Sequence, residues 1–91
     1  PVYKVMSKIF LIANPDTPSS INLKCDPEKA VELREEFSAV SPGFHMNKTH
    51  WNTVVLDGTI PSKFIFEWID HSYDLVAEGL KKSEKNELNK L

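Results

Sequence analysis

An α+β domain is predicted for this chain by three observations: β-branched and aromatic runs near its start, a short apolar run in its second half, and two segments whose apolar residues recur at helical spacing. Its 91 residues, 41% of them hydrophobic, are enough for one compact core and too few for two. Residues 1–91 are therefore read as a single domain.

The elements follow in chain order. Val2-Tyr3-Lys4-Val5 and Ile9-Phe10-Leu11-Ile12-Ala13, separated by Met6-Ser7-Lys8, predict an antiparallel hairpin. Residues 14–20 are dense in Pro, Asp, Ser and Thr, which makes them an exposed loop. Ile21-Asn22-Leu23-Lys24-Cys25 alternates apolar and polar, so the strand buries one face and turns Lys24 to the other. Asp26 caps a helix that Pro27 opens and that runs to about Phe37. Two stripes compete for its core face, Ala30, Val31, Arg34 and Phe37 or Ala30, Leu33 and Phe37, with Glu28, Glu32, Glu35 and Glu36 mostly toward water. Ser41-Pro42-Gly43 breaks the chain. Thr53-Val54-Val55-Leu56 is a strand closed by Asp57-Gly58, and Ser62 after Pro61 caps a long helix whose core stripe is Phe64, Ile65, Trp68, Ile69, Ser72, Leu75, Val76 and Leu80. Residues 81–91 form a charged C-terminal tail that either extends this helix or frays.

Cys25 is the one cysteine, so no intrachain disulfide forms and a cytoplasmic setting is expected. No apolar run approaches the roughly 20 residues that cross a bilayer, and no membrane partner is expected. The chain reads as strand from Pro1 and lacks an initiator methionine, which suggests a trimmed product with an upstream segment. Net charge is −2, which argues against indiscriminate nucleic-acid binding, since that draws on phosphate neutralisation by Lys and Arg. The charge is unevenly divided, however. Residues 1–25 with 38–56 carry Lys4, Lys8, Lys24 and Lys48 against Asp16 alone, whereas residues 26–37 and 57–79, which hold the two helices, are net acidic. Solvated helix faces account for this division, and so does an electropositive sheet surface.

Metal and nucleophile chemistry find little support. His45 and His50 are five apart, which is not a chelating spacing on a helix or strand, and His71 and Cys25 add no compact ligand pattern, so no metal or other cofactor is expected. There is no Gly-x-Ser-x-Gly turn and no Gly-rich phosphate loop among three glycines. Glu35 with Glu36, or Asp70 with Asp74, are adjacent carboxylates in helical context and read as solvated charge. No catalytic residue is assigned, and the protein is read as non-enzymatic.

The segment from Gly43 to Trp51 carries the distinctive chemistry. If it is extended, Lys48 and His50 point to one side while Asn47, Thr49 and Trp51 point to the other, with Trp51 anchored in the core. Lys48 then supplies charge to a phosphate, His50 a hydrogen-bond donor, and Asn47 either a base-edge contact or a turn. The run Asn47-Lys48-Thr49-His50-Trp51, with the strand, Asp57-Gly58 and the helix at Pro61-Ser62 after it, resembles the signature of the MmcQ/YjbR family of small α+β proteins. The resemblance extends over most of the chain and includes Ser72-Tyr73. It implies an antiparallel sheet with helices packed on one face, similar to CyaY/frataxin, and projecting hairpins likened to a double-wing DNA-binding motif. The chain departs from the family in having no residues for the usual helix before the first hairpin, and its acids lack the ridge with which frataxins hold iron.

On this reading the expected partner is double-stranded DNA, bound weakly and in a salt-dependent way. The expected contacts are Lys48, His50, Asn47, His45, Lys4 and Lys8. The alternative is a protein-interaction or small-ligand module in which the signature is structural and stabilises the wing. A third reading makes Asn47, Lys48 and His50 an internal hydrogen-bond network that fixes the long loop to the last helix.

Overall fold

The computed structural model describes residues 1–91 as one five-stranded antiparallel sheet and three helices. The strands are β1 (Val2–Val5), β2 (Lys8–Asn14), β3 (Ser20–Lys24), β4 (Val40–Pro42) and β5 (Trp51–Val55), and their spatial order is β1-β2-β3-β5-β4. The helices are α1 (Pro27–Glu36), α2 (Ser62–Glu78) and α3 (Lys82–Asn89). No helix is long and apolar enough to cross a membrane.

One face of the sheet is covered. Alternation in β3 buries Ile21 and Leu23 and leaves Ser20, Asn22 and Lys24 only half-buried, so the pleat assigns a core side and an open side. Ala30 and Leu33 of α1 and Trp68 of α2 pack on the core side with Ile21, Leu23, Val40 and Val54. A smaller cluster of Val5, Val76 and Leu80 closes the β1 end, helped by Phe10, Tyr73 and Leu88. Phe10 meets Tyr73 edge to face at 5.2 Å, and Phe37 meets Trp68 the same way at 5.3 Å.

Asp26 caps α1 as its chemistry requires, its carboxylate accepting the Lys29 N–H at 3.2 Å. In α1 the stripe is Ala30 and Leu33, while Val31 is 47% exposed. Helix α2 differs from expectation at its start: Pro61 occupies the cap position and Ser62 makes no capping bond. The charged tail neither extends α2 nor frays. It breaks at Leu80-Lys81 and forms α3, whose Glu84 accepts the Lys81 N–H at 3.2 Å and the Ser7 hydroxyl at 3.1 Å, tying this helix to the first hairpin.

Two further departures concern the middle of the chain. Ser41-Pro42 is not a break but the end of β4, an edge strand on which Val40 pairs with Val54 and Pro42 with Asn52. Proline is tolerated there because an edge residue need not donate to a ladder. Since β4 and β5 are antiparallel neighbours, residues 43–50 must reverse the chain between them, so Asn47 to His50 form a turn rather than an extended ribbon.

The sheet also parts at one place. Pairing of β2 with β3 runs from Asn14↔Ser20 to Leu11↔Leu23 and stops. In the gap beyond sits the Ser72 hydroxyl of α2, wholly buried, accepting the Lys24 N–H at 2.8 Å and donating to the Phe10 carbonyl at 2.6 Å. One side chain thus satisfies both backbone groups that the splayed strands leave open.

Candidate functional site

The turn before β5 is organised by its own side chains and by α1. Asn47 Oδ1 accepts the Thr49 N–H at 2.9 Å, and the Asn47 carbonyl accepts the N–H groups of His50 and Trp51. Asn47 is therefore the turn former, one of the two roles its side chain allows. Lys48 Nζ donates to the Gly43 carbonyl at 2.9 Å across the loop. Arg34 of α1 donates to the carbonyls of Lys48 and Trp51 and, through Nε, to Asn52 Oδ1 at 2.6 Å. Asn52 is buried and passes the connection on by donating to the Ala30 carbonyl at 3.2 Å. The loop is thus moored to α1, and none of these bonds reaches α2, contrary to the expected tie to that helix.

Gly43 is required by close approach: a Cβ there would lie 2.7 Å from Trp51 Cβ. Residues 43–46 lie over the open side of the sheet, where Phe44 N–H donates to Thr53 Oγ1 and Asn22 Nδ2 donates to the Phe44 carbonyl. Thr53 in turn donates to Asn22 Oδ1. His45 follows with φ 60, a left-handed conformation that few side chains adopt, and its ring lies 4.0 Å from that of the exposed Phe44.

Each residue singled out by sequence is on the surface. Lys4, Lys8, His45, Asn47, Lys48 and His50 are all exposed, although Asn47 and Lys48 also hold the turn. They do not form one cluster. His45 lines a shallow depression with Pro1, Ile12 and Asn22, whereas Lys8 belongs to a different concavity. The latter is a cleft of about 470 Å³ at the parting of β2 and β3, lined by Lys8, Ile9, Lys24, Met46 and Trp51, with Val76 and Gly79 of α2 behind. Trp51 is accordingly half-buried and forms a cleft wall; the enclosed tryptophan of the core is Trp68. Lys24, Met46, Arg34 and Ser72 were not singled out as site residues. Lys24 is visible in the sequence as the polar member of an alternating strand and as one of the strand and loop cations, but its pairing with Trp51 belongs to β3–β5 register.

The lysines of the strands and of the 43–50 loop have no carboxylate partner. The one ion pair within 4.0 Å joins Lys90 to Glu87 on α3, away from Lys4, Lys8, Lys24 and Lys48. The acids of α1 and α2, Glu28, Glu32, Glu35, Glu36, Glu67, Asp70, Asp74 and Glu78, are all exposed on the helical layer. With Lys29, Arg34 and Lys63 counted beside them, α1 and α2 are each net acidic, in line with the division seen in the sequence. No three His, Cys, Asp or Glu side chains converge into a metal-holding group.

Two shifted groups lie near the start of α1. Burial pushes the Cys25 thiol up and so keeps it protonated and weakly nucleophilic, against the opposing influence of Lys29. His71 is lowered from 6.5, first by burial and then by Lys29, with Asp26, Asp74 and Glu78 opposing; its Nε2 accepts the Asp26 N–H at 3.2 Å. A protonated ring cannot accept that bond. Because the unfolded chain takes up this proton more readily, the contribution of His71 is fully present above pH 6.5 and is lost as pH falls through that value toward the lower folded one. Urea midpoints measured across this range should fall with acidification in the wild type and fall less in His71→Gln.

A family model described as YjbR matches residues 1–75. The uncharacterised protein YjbR of Escherichia coli K12 is 38% identical over 86 residues, which cover 93% of this chain and 72% of that one. The uncharacterised protein YyaQ of Bacillus subtilis is 42% identical over 55 residues, 60% of this chain and 46% of its own. Among solved structures, a Deinococcus radiodurans protein with a DUF419 domain superposes with TM-score 0.85 at 38% identity, covering 97% of this chain and 66% of the other. A Pseudomonas syringae protein gives TM-score 0.67 at 30% identity, covering 81% and 72%.

Proposed function

The chain belongs to the YjbR family, and from that membership we propose a non-enzymatic protein that meets double-stranded DNA weakly through its exposed β-side cations. The observation that carries this reading is that Lys4, Lys8, Lys24 and Lys48 of the strands and loops stand without carboxylate partners, while α1 and α2 are each net acidic. The β1–β2 hairpin and the 43–50 loop act as the two projecting contact elements. Lys4, Lys8 and Lys48 meet phosphates, and His45 and His50 donate hydrogen bonds beside them. Asn47 contributes indirectly, by holding the turn that presents Lys48 and His50.

With net charge −2 and this few contacts, affinity is modest and salt governs it. If all four lysines engage phosphate, log K falls with log salt at a slope of about −3.6, so binding weakens roughly a hundredfold between 50 and 200 mM salt. Lys48→Ala should reduce that slope by about 0.9. Fluorescence anisotropy on a short labelled duplex measures both quantities, and binding that ignores salt or the substitution rejects the reading. A protein partner is the second reading, favoured by β1, an edge strand on which Val2 and Tyr3 are half exposed. Capture of a partner that survives neutralisation of the hairpin lysines would select it.

A further inference from the structure

The cleft at the parting of β2 and β3 has a composition that duplex binding does not use. A duplex is too broad to enter it, yet its walls combine two cations with an aromatic and a thioether side chain. Lys8 and Lys24 line it, Trp51 and Met46 form apolar wall, and Ile9 and Val76 complete the lining. No carboxylate lines it; the nearest contact of one is Glu84, which accepts the hydroxyl of Ser7 at the rim. The other concavities differ in kind. The crevice between α2 and α3 sets Lys85 against Asp74 and Glu78, and the depression beside His45 contains no lysine.

The cleft is also built rather than incidental. The strands part there because Ser72 replaces their ladder with two bonds of its own, and α2 closes the back of the gap. Trp51 is fixed from behind by the Gly43 contact and the Arg34 bond to its carbonyl, so the wall is positioned before any ligand arrives. At about 470 Å³ the cleft falls within the size range of small-molecule sites.

We infer that this cleft binds a small planar anion, a flat ring bearing a carboxylate or a phosphate. The ring lies against Trp51 and Met46 over Val76, and the anionic group is taken by the Lys8 and Lys24 ammonium groups. This stands independently of the duplex reading, with which it shares only the two lysines.

The test is an NMR titration of the full chain with adenosine monophosphate and with indole-3-acetate, set against adenosine, indole-3-acetamide and inorganic phosphate. The expected result is shifts at Ile9, Lys24 and the Trp51 indole N–H with one or both anionic rings. The neutral rings and phosphate alone should bind at least about tenfold more weakly, and Lys8→Gln/Lys24→Gln should lose about the same factor. Unchanged Trp68 signals verify that this double variant keeps its fold. Absence of shifts, equal binding of the neutral rings or of bare phosphate, or undiminished binding by the folded double variant would overturn the assignment.

Discussion

Trp68→Ala is expected to lower the unfolding free energy by about 3–5 kcal/mol. Trp68 is 6% exposed where α1 and α2 meet the sheet, edge to face with Phe37 and stacked near Phe64, so its removal leaves a large cavity in the core. A chain of 91 residues has one thin core and a total stability on the order of 5–15 kcal/mol, which places the variant close to its unfolding threshold. Urea denaturation should show a large drop in midpoint. Trp51→Ala should cost clearly less, because half-buried Trp51 borders a cleft instead of the core. Equal losses at the two tryptophans would contradict this partition.

Ser72→Ala is the second large effect. Deleting one oxygen orphans two part-buried backbone groups, the Lys24 N–H and the Phe10 carbonyl, at about 1–3 kcal/mol each, so a loss of about 2–6 kcal/mol is expected. Hydrogen exchange at the Lys24 amide should accelerate more than exchange elsewhere in β3. Ser62→Ala on the same helix is the control. Ser62 is exposed and makes no capping bond, so its replacement should be nearly neutral. If Ser72→Ala were equally silent, the splayed strands would have another source of satisfaction and the cleft another architect.

What the sequence disclosed follows from the range of the signals. The first hairpin, β3, α1 with its Asp26 cap and the stripe of α2 each rest on spacing within a few residues, and each is present. Strand β4 has three residues and ends in proline; its place comes from pairing Val40 with Val54, which no local pattern encodes. The same limit shaped the reading of the signature. Asn47 to His50 alternate like a strand, but the chain must reverse between β4 and β5, and that requirement overrides the alternation.

The site was legible as charge and not as geometry. Lys8 and Lys48 were readable as cations on the β side, whereas the approach of Lys8 to Lys24 and Trp51 depends on where β2 and β3 part, which Ser72 decides from some 50 residues further along the chain. Arg34 stood in view as a charged residue at core spacing in α1. Its partners, the Lys48 and Trp51 carbonyls and Asn52, are brought to it only by the fold.

The central claim is that the cations of the strands and of the 43–50 loop are the surface that meets a polyanion. Amide chemical-shift mapping with a short duplex at low salt tests it most directly. The account predicts perturbations at Lys4, Lys8, Lys24 and residues 44–50 that collapse on raising salt; perturbations centred on α1 and α2, or none at any salt, would contradict it.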